Sequence, residues 1–365
     1  MDYPFAGERK RQRRRLSSGP PPAPRRPPAT RPSGPFDEIL RKVRATADPR
    51  RRRWAADGAG CTWGQSKVTD MSTAWQYTPI SADGRLGLAN QHPGRSDPAY
   101  RRRRDALAAR AEGHRVGAPY PAVDYTEDEH RTWRAVHQAL GPAHHAHACR
   151  AVLDAGEDAG IRADRIPQHT EVSAALTART GFAFTLAGGV VPNERFLGAM
   201  EHGYFHAVQF VRHPAVPLYA PEPDVLHDVF GHGVHLSCAR LARLYRLIGQ
   251  AANRTETAEA LDILSRVYWF TLEYGLITEA GTPKALGAAL LSSYGEIGAH
   301  DGRTVRPLDL RAAAATPYRI SGYQPVLYTA RSLEHLEDVL GAFCADFDDE
   351  SASRLGVPAL SRDRA

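Results

Sequence analysis

From about Trp75 onward, apolar residues recur every three or four positions, which predicts a helix-rich domain without a linker-like interruption. Thr126 is the predicted N-cap of a helix over TEDEHRTWRAVHQAL, because acidic residues follow it in the first turn. Amphipathic helices are also predicted around residues 241–248 and over TAEALDILSRVYWFTLEYGL. Near the C-terminus, GYQPVLYTAR has strand character, and SLEHLEDVLGAF returns to helix with Ser332 as its cap. The pattern therefore predicts a mainly α fold.

Residues 1–70 differ in composition from the rest of the chain. The run GERKRQRRRLSSGPPPAPRRPPATRPSGP is rich in Arg and Pro and poor in aliphatic side chains, so burial cannot offset the entropy of ordering it. We expect a disordered extension over 1–70, a folded domain over 71–350 and a C-terminal tail over 351–365. Two alternatives stay open: RKRQRRR contacts nucleic acid or an acidic surface, or translation starts at Met71.

The formal net charge of +6 is unevenly placed along the 365 residues. Residues 1–60 contribute +10, so the rest of the chain carries −4 and is mildly acidic. The four cysteines are scattered without a CxxC pair, which is typical of a reducing cytosol rather than of a disulfide framework. No run of 18 apolar residues and no apolar N-terminal signal core occur. We therefore expect a cytoplasmic protein that requires neither a membrane nor nucleic acid.

The segment PEPDVLHDVFGH carries two histidines, His227 and His232, five positions apart. On a straight helix, residues five apart point about 140° away from each other. Both imidazoles can therefore reach one metal ion only where the helix ends or distorts, and Gly231 permits either. Asp224 is well placed to cap a helix that begins here. A pair of histidines alone is a weak signal, since most such pairs are structural.

A candidate third ligand is Glu273, which lies in the apolar segment YWFTLEYGL. An ionised carboxylate in such surroundings is costly unless it is paired or metal-bound. The structural alternative is a salt bridge to one of the many arginines. Two histidines and one carboxylate form the facial triad of non-haem Fe(II) oxygenases, and the same three ligands also suit Zn²⁺ in a hydrolase.

Several motifs together resemble the pterin-dependent aromatic amino acid hydroxylases, in particular their bacterial phenylalanine hydroxylases. PEPDVLHDVFGH, YWFTLEYGL, GAALLSSYGE and YRISGYQP follow one another in the order of that family. HPGRSDPAYRRRRDALA, VDYTEDEHRTW, DRIPQ and TGFAF precede them, so the resemblance spans residues 92–340, about two thirds of the chain. It implies a single basket-like catalytic domain of α+β type, with few short strands. It also implies a monooxygenase that uses Fe(II), a tetrahydropterin such as tetrahydrobiopterin, and O₂ to hydroxylate the ring of a free aromatic L-amino acid.

The resemblance implies roles for individual residues. His227, His232 and Glu273 would bind the ferrous iron. A guanidinium would hold the carboxylate of the amino acid, a task that suits its forked geometry, and the other pocket residues would surround the ring. The implied substrate-binding residues are Arg212, Ser292, Trp269, Tyr219 and Ile320.

A second set of residues would bind the pterin or support the site. The pterin ring would stack on Phe196, and its edge would meet the loop of Gly189 and Val191. Asp228 would join them, at a position where animal members carry glutamate. The residues expected to support the site from behind are Asp224, Glu222, Arg104 and His235. Of these, Arg104 and Glu222 are an ion pair that the resemblance implies.

The expected substrate is phenylalanine and the expected product is tyrosine. His206, Tyr219 and Trp269 resemble the residues that phenylalanine hydroxylases have at positions where tyrosine or tryptophan hydroxylases often differ. Ile320 stands where tyrosine hydroxylases carry an aspartate. The alternatives within the family are a phenylalanine 3-hydroxylase, which forms meta-tyrosine, and a tyrosine or tryptophan hydroxylase. A rotation of the ring in the pocket separates the first alternative from the expected product.

Three departures from the family pattern leave the ring position open. The family continues GHVPLL after the second histidine, whereas this chain has GHGVHL, which introduces His235. We expect His235 to line the pocket or support a ligand rather than to act as a fourth ligand. Ala220 replaces a hydroxyl residue, and Ala289 replaces a glycine.

Two interpretations outside the family stay open as well. One is a zinc hydrolase that uses the same three ligands. The other is a nucleic-acid-binding protein with a degenerate enzyme core, against which the intact candidate ligands argue. Because neither a regulatory domain nor a heptad-like tail is evident, we expect a monomer or weak dimer rather than the tetramer of animal members.

Overall fold

Helices account for most of the residues that the computed structural model describes, namely 77–82, 85–299, 303–318 and 322–357. The predicted disordered extension, the alternative start at Met71 and Ile320 lie outside these residues. The mainly helical fold class expected from the sequence is confirmed.

The first six helices of the described chain precede the histidine segment. They are α1 Pro93–Ser96, α2 Pro98–Ala109, α3 Glu127–His147, α4 Arg150–Ala159, α5 His169–Thr180 and α6 Asn193–Glu201.

The remaining helices carry or surround the candidate site. They are α7 Val225–His227, α8 Val234–Ser237, α9 Ala239–Ala252, α10 Ala258–Tyr268, α11 Ala288–Ser292, α12 Leu310–Ala315, α13 Leu333–Ala345 and α14 Asp349–Arg354.

The strands are short and form three small sheets. They are β1 Tyr77–Pro79, β2 Leu86–Leu88, β3 Ala183–Leu186, β4 Tyr204–Ala207, β5 Leu276–Glu279, β6 Thr282–Ala285, β7 Thr304–Pro307 and β8 Val326–Ala330. β1 pairs with β2 antiparallel and β3 with β4 parallel, while the largest sheet has the order β6-β5-β8-β7. In that sheet only the β5–β6 pair is antiparallel. β5 and β6 form the hairpin that follows the segment with Glu273.

The predicted helix caps are confirmed. Thr126 accepts a hydrogen bond from the Glu129 N–H, and the Glu129 side chain accepts one from the Thr126 N–H, which completes a capping box at the start of α3. Ser332 caps α13 through the His335 N–H, and Asp224 caps α7 through the His227 N–H. Local sequence thus sets where these helices begin, and Asp224 places the first candidate ligand on a capped turn.

The core surrounds α9, which packs against α6 on one side and α13 on the other. Its apolar stripe, predicted from the spacing, is buried at Leu241, Leu244 and Ile248. Tyr245 is also completely buried, so this helix turns a polar hydroxyl into the core. A buried hydroxyl needs a hydrogen-bond partner, and the candidate site supplies it.

The long helix predicted over TAEALDILSRVYWFTLEYGL is regular only as far as Tyr268. It continues as a turn of π-helix, Trp269–Glu273, and the chain then enters β5.

Near the C-terminus, α14 spans the domain boundary predicted at residue 350, and Ala352 of this helix is buried in the core. Within the described residues, none of the helices combines the length and hydrophobicity that a bilayer-spanning segment needs.

Candidate active site

Two of the three candidate metal ligands, His232 and Glu273, lie in π-helical turns, and His227 is the residue just before the first of these turns. Asp228–Gly233 follows α7 directly, and Trp269–Glu273 follows α10. A π turn closes its hydrogen bonds between residues i and i+5, so residues five apart lie nearly above each other. The predicted distortion next to His232 is therefore confirmed. The helix does not end at Gly231, however, but continues through the π turn into α8.

Gly231 allows a close approach of two segments, and not the left-handed helix end that its place before His232 suggests. Its φ angle is not positive, so the glycine is not needed for a left-handed turn. A Cβ atom at this position would lie 2.6 Å from the Ala288 carbonyl oxygen and 2.9 Å from the Ala288 Cβ. Gly231 thus lets α11 pack directly against the π turn, which brings Ser292 to the back of the first histidine.

His227, His232 and Glu273 converge on one buried point. Their ligand atoms all lie within 4.8 Å of one another. The two Nε2 atoms are 2.9 Å apart, and His232 Nε2 is 3.0 Å from Glu273 Oε1. His227 Nε2 is 3.7 Å from Glu273 Oε2. Neighbouring ligands about 2.1 Å from one metal ion lie about 3 Å apart, so the donor set and its spacing fit a single transition-metal ion.

The protonation states of His227 and Glu273 also suit a metal site. Burial lowers the pKa of His227 to about 4, so its imidazole is neutral at physiological pH. Burial alone would raise the pKa of Glu273, but the His232 and His227 imidazoles reverse this effect and lower it to about 2. Metal binding requires neutral imidazoles and an ionised carboxylate. Among the described residues, no arginine forms a salt bridge with Glu273, which argues against the structural alternative for this residue.

Each candidate ligand is held from behind by a hydroxyl group. Ser292 Oγ lies 2.8 Å from His227 Nδ1, and Tyr245 Oη lies 2.8 Å from His232 Nδ1. The Tyr268 hydroxyl donates to Glu273 Oε1 at 2.9 Å. Such partners orient a ligand and fix which ring nitrogen carries the proton.

His235 lies behind His232 and is completely buried. Its Nδ1 is 2.8 Å from the Tyr245 hydroxyl oxygen, and its Nε2 is 2.7 Å from the Leu286 carbonyl oxygen. Burial lowers the pKa of His235 to about 3, so the ring is neutral. Both ring nitrogens are engaged away from the point where the three candidate ligands converge.

A cleft of about 580 Å³ opens beside the triad. Its lining combines two triad members with four of the residues expected to bind substrate. These lining residues are His227, Glu273, Arg212, Ser292, Trp269 and Tyr219. The cleft therefore brings His227 and Glu273 next to the four described residues that were expected to bind substrate. Ala220 and Ala289, two of the departures from the family pattern, also line it.

Arg212 presents less of its guanidinium to the cleft than expected. Its Nε and Nη2 donate to the two carboxylate oxygens of Asp224 at 3.0 and 2.8 Å, and both side chains are almost fully buried. Nη1 lies 3.3–3.4 Å from the carbonyl oxygens of Ser292 and Pro217. The forked face of the guanidinium is thus occupied by Asp224, and Nη1 is the nitrogen whose contacts to protein acceptors are longest and therefore weakest.

Aromatic rings form the wall of the cleft. Trp269 stacks on Tyr318 with the ring centroids 4.2 Å apart, and it also contacts Tyr274 at 4.9 Å. Tyr219 is fixed by its hydroxyl, which accepts the Gly322 N–H at 3.0 Å. These contacts hold the rings in place, so the wall is rigid and apolar and suits an aromatic side chain.

None of the four residues expected to bind the pterin, Phe196, Gly189, Val191 and Asp228, is among the residues that line this cleft. Phe196 is half-buried and packs edge-on against Tyr268 at 5.7 Å, which places it one residue away from Glu273. Gly189 and Val191 follow β3, and Val191 packs on the small apolar cluster around Phe210.

Asp228 points into the protein, where its carboxylate accepts the Val208 N–H at 2.7 Å. Its burial raises the pKa of this carboxyl well above the usual value.

The expected ion pair behind the site is present. Arg104 Nε donates to Glu222 at 2.9 Å, and the Arg104 guanidinium lies 4.5 Å above the Phe210 ring. Since Glu222 also lines the cleft, this pair joins α2 to the segment before α7.

Three residues near the site, Tyr245, Tyr268 and Glu296, have no role that the motifs considered above imply. Tyr245 and Tyr268 lie on the buried stripes of amphipathic helices, and periodicity alone identifies such residues as core. Glu296 lines the cleft, and its carboxylate is 3.3 Å from Arg303. Its burial raises its pKa to about 7 although Arg303 opposes the shift. The signal that could have marked Glu296 is its place in GAALLSSYGE, four residues after the predicted substrate serine Ser292.

Two histidines and one carboxylate, buried together beside a cleft, are the ligand set of mononuclear non-haem iron enzymes. The family described as "Biopterin-dependent aromatic amino acid hydroxylase" matches residues 63–354, and the chain belongs to this family. It is thus an aromatic amino acid monooxygenase.

Among curated relatives, the phenylalanine 3-hydroxylase of Streptomyces coeruleorubidus is 42% identical over 73% of this chain and 96% of its own length. The tyrosine 3-monooxygenase of Bos taurus is 36% identical over 84% of this chain, and the phenylalanine-4-hydroxylase of Mus musculus is 37% identical over 71%. These matches span 62% and 58% of the two mammalian proteins, or about three fifths of their length.

Solved structures of phenylalanine hydroxylases have the same fold. The structure of a point mutant of the Chromobacterium violaceum enzyme aligns with a TM-score of 0.62 and 27% identity, covering 69% of this chain and 93% of that one. Another structure of that enzyme holds iron(III) and 7,8-dihydrobiopterin and aligns with a TM-score of 0.57 at 29% identity, over 60% of this chain and 82% of that one.

Proposed function

We propose that this protein hydroxylates the ring of free phenylalanine at carbon 3, using Fe(II), a tetrahydropterin and O₂, and so forms meta-tyrosine. The observation that carries the proposal is a cleft that is lined by His227, Glu273, Arg212 and the Trp269 wall. Carbon 3 is favoured over the carbon 4 expected from the motifs. The reason is that the Streptomyces phenylalanine 3-hydroxylase is 42% identical, against 37% for the mouse 4-hydroxylase.

The metal would be held by His227 Nε2, His232 Nε2 and one oxygen of Glu273. Three protein ligands on one side leave the other positions of the ion open for small molecules. When bound, the iron and the reduced pterin supply the activation of O₂ that ring hydroxylation requires. The same ligands would also suit Zn²⁺, but membership of a pterin-dependent family favours iron.

The amino acid would be oriented from its polar end. Arg212 Nη1 would donate to its carboxylate, while Asp224 keeps the guanidinium from turning. Ser292 lies between this carboxylate site and His227, so it couples substrate position to the ligand. Trp269 and Tyr219 would exclude water from the ring, which lets position rather than reactivity choose the carbon that is attacked.

The pterin would occupy the side of the triad where Phe196 lies. Phe196 contacts Tyr268, and Tyr268 in turn holds Glu273, so a ring stacked on Phe196 would be close to the metal. Asp228 is engaged with Val208 in the interior and would support the backbone there rather than contact the pterin.

The test is anaerobic reconstitution of the purified full chain with Fe(II), followed by tetrahydrobiopterin, air and phenylalanine. Chromatography against authentic standards separates meta- from para-tyrosine. Meta-tyrosine as the main product supports the proposal, and para-tyrosine would assign a 4-hydroxylase. Oxygen uptake without either product would move the substrate to tyrosine or tryptophan. A chain loaded with Zn²⁺ in place of Fe(II) serves as the matched control and should form neither tyrosine isomer.

A further inference from the structure

His232, Tyr245 and His235 form a continuous hydrogen-bonded chain that ends on a backbone carbonyl. His232 Nδ1 and the Tyr245 oxygen are 2.8 Å apart, the Tyr245 oxygen and His235 Nδ1 are 2.8 Å apart, and His235 Nε2 lies 2.7 Å from the Leu286 oxygen. All three side chains are at most 1% exposed, so water does not compete for these contacts. We call this set the histidine–tyrosine relay.

The carbonyl at its end determines the direction of every bond in the relay. A carbonyl oxygen only accepts, so His235 must donate from Nε2. A neutral imidazole has one N–H group, and His235 Nδ1 therefore accepts the proton of the Tyr245 hydroxyl. The Tyr245 oxygen then accepts from His232 Nδ1–H, which leaves the lone pair of His232 on Nε2, the atom that faces the other two ligands.

The relay is also mechanically anchored to the segment of the third ligand. The Leu286 N–H donates to the Gly275 carbonyl at 3.1 Å, two residues beyond Glu273. On the other face of His232, the Phe205 ring packs with its centroid 4.2 Å away. The imidazole of His232 is thus held both at its edge and at its face.

We propose that His235 and Tyr245 are positioning residues, which set the tautomer and ring orientation of His232 for metal binding. The inference rests on the proposed role of His232 as a ligand. His235 stands where the family pattern GHVPLL has no histidine, so this support belongs to the GHGVHL segment of this chain. Outer partners of ligand histidines typically change metal affinity by about 10- to 100-fold when they are removed.

The test compares Fe(II) and Co(II) binding in the full chain under anaerobic conditions. Tyr245→Phe keeps the ring but removes the hydroxyl, so Fe(II) affinity should fall about tenfold or more and the absorption bands of bound Co(II) should shift. Tyr328→Phe is the matched control. Tyr328 is equally buried, and its hydroxyl also has a hydrogen-bond partner, Thr316, away from the relay. The thermal midpoints of the two metal-free variants should fall by similar amounts.

Variants of His235 separate positioning from mere space filling. His235→Leu fills the space but cannot accept from Tyr245, so it should lose Fe(II) affinity to the same extent as Tyr245→Phe. His235→Gln can still accept at one atom and donate at another, and it should recover part of that loss. The double variant should bind no more weakly than either single variant, because the relay needs to be broken only once.

Wild-type Fe(II) affinity and an unchanged Co(II) spectrum in Tyr245→Phe would overturn the proposal. So would a loss of affinity equal to that of Tyr328→Phe. If the wild-type chain itself binds Fe(II) no better than Glu273→Ala, the ligand assignment fails and the relay proposal with it. That outcome is measured on the wild type without any relay variant.

Discussion

The Nε2 atoms of His227 and His232 lie 2.9 Å apart, although five residues separate them along a helix. The π turn over Asp228–Gly233 makes this possible, because its wider winding brings residues i and i+5 to the same side. The candidate ligand Glu273 closes a second π turn. The site is therefore built from two local departures from α-helical geometry, one between two helices and one at the end of a helix.

Removing a candidate ligand should abolish metal binding without unfolding the chain. Glu273→Ala and His227→Ala are expected to lose bound iron and ring hydroxylation together, because two protein ligands cannot hold the ion tightly. Iron content by mass spectrometry and product by chromatography check this. His145→Ala, which changes an exposed histidine, is the control and should keep both. Full iron occupancy in either ligand variant would refute the triad.

Arg212 should govern substrate affinity more than turnover. Arg212→Lys keeps a positive charge beside Asp224 but removes Nη1 from the cleft, so we expect KM for phenylalanine to rise about tenfold or more, in line with a lost charged hydrogen bond. Steady-state kinetics give the measurement. Arg103→Lys is the control, since Arg103 forms a comparable pair with Glu129 outside the cleft. Unchanged KM in Arg212→Lys would contradict the role.

Glu296 should make the stability of the fold depend on pH. Its pKa is raised from 4.5 to about 7 by burial, so the folded state favours the protonated form. The stabilisation is complete below about pH 4.5 and is lost as the pH rises through 7, a change of about 3 kcal/mol.

Glu296→Gln, which cannot ionise, should lack this contribution. The difference between its unfolding free energy and that of the wild type, from urea denaturation at pH 5 to 8, should therefore move in favour of the variant as the pH rises. A difference independent of pH would contradict the shifted pKa.

Gly231 should tolerate no side chain. In Gly231→Ala, the new Cβ would press on Ala288, and such overpacking costs about 1–3 kcal/mol. It should also move α11 and weaken the contact between Ser292 and His227. Urea unfolding and Fe(II) affinity measure the two effects. Gly141→Ala, where nothing lies within 4 Å of the added carbon, should instead stabilise α3 by up to about 1 kcal/mol. Equal effects of the two substitutions would contradict this reasoning.

The sequence alone predicted the helices, their caps and the candidate ligands. Thr126, Ser332 and Asp224 cap helices through bonds that reach only three residues along the chain. Such local contacts depend on residue order, so periodicity and capping rules locate them. The motifs around His227 and Glu273 also indicate the family without any knowledge of their geometry.

Only the tertiary structure decided how these residues work together. Tyr245 reaches His232 and His235 from a neighbouring helix, and Leu286 lies 51 residues beyond His235. The tertiary structure also directs the forked face of Arg212 towards Asp224. It directs the carboxylate of Asp228 towards the Val208 N–H. The sequence by itself determined local helix geometry and the chemistry of the ligands, because both depend on neighbours in the chain. The orientation of each buried polar group was decided by packing between distant segments, because each must find its partner within a core that excludes water.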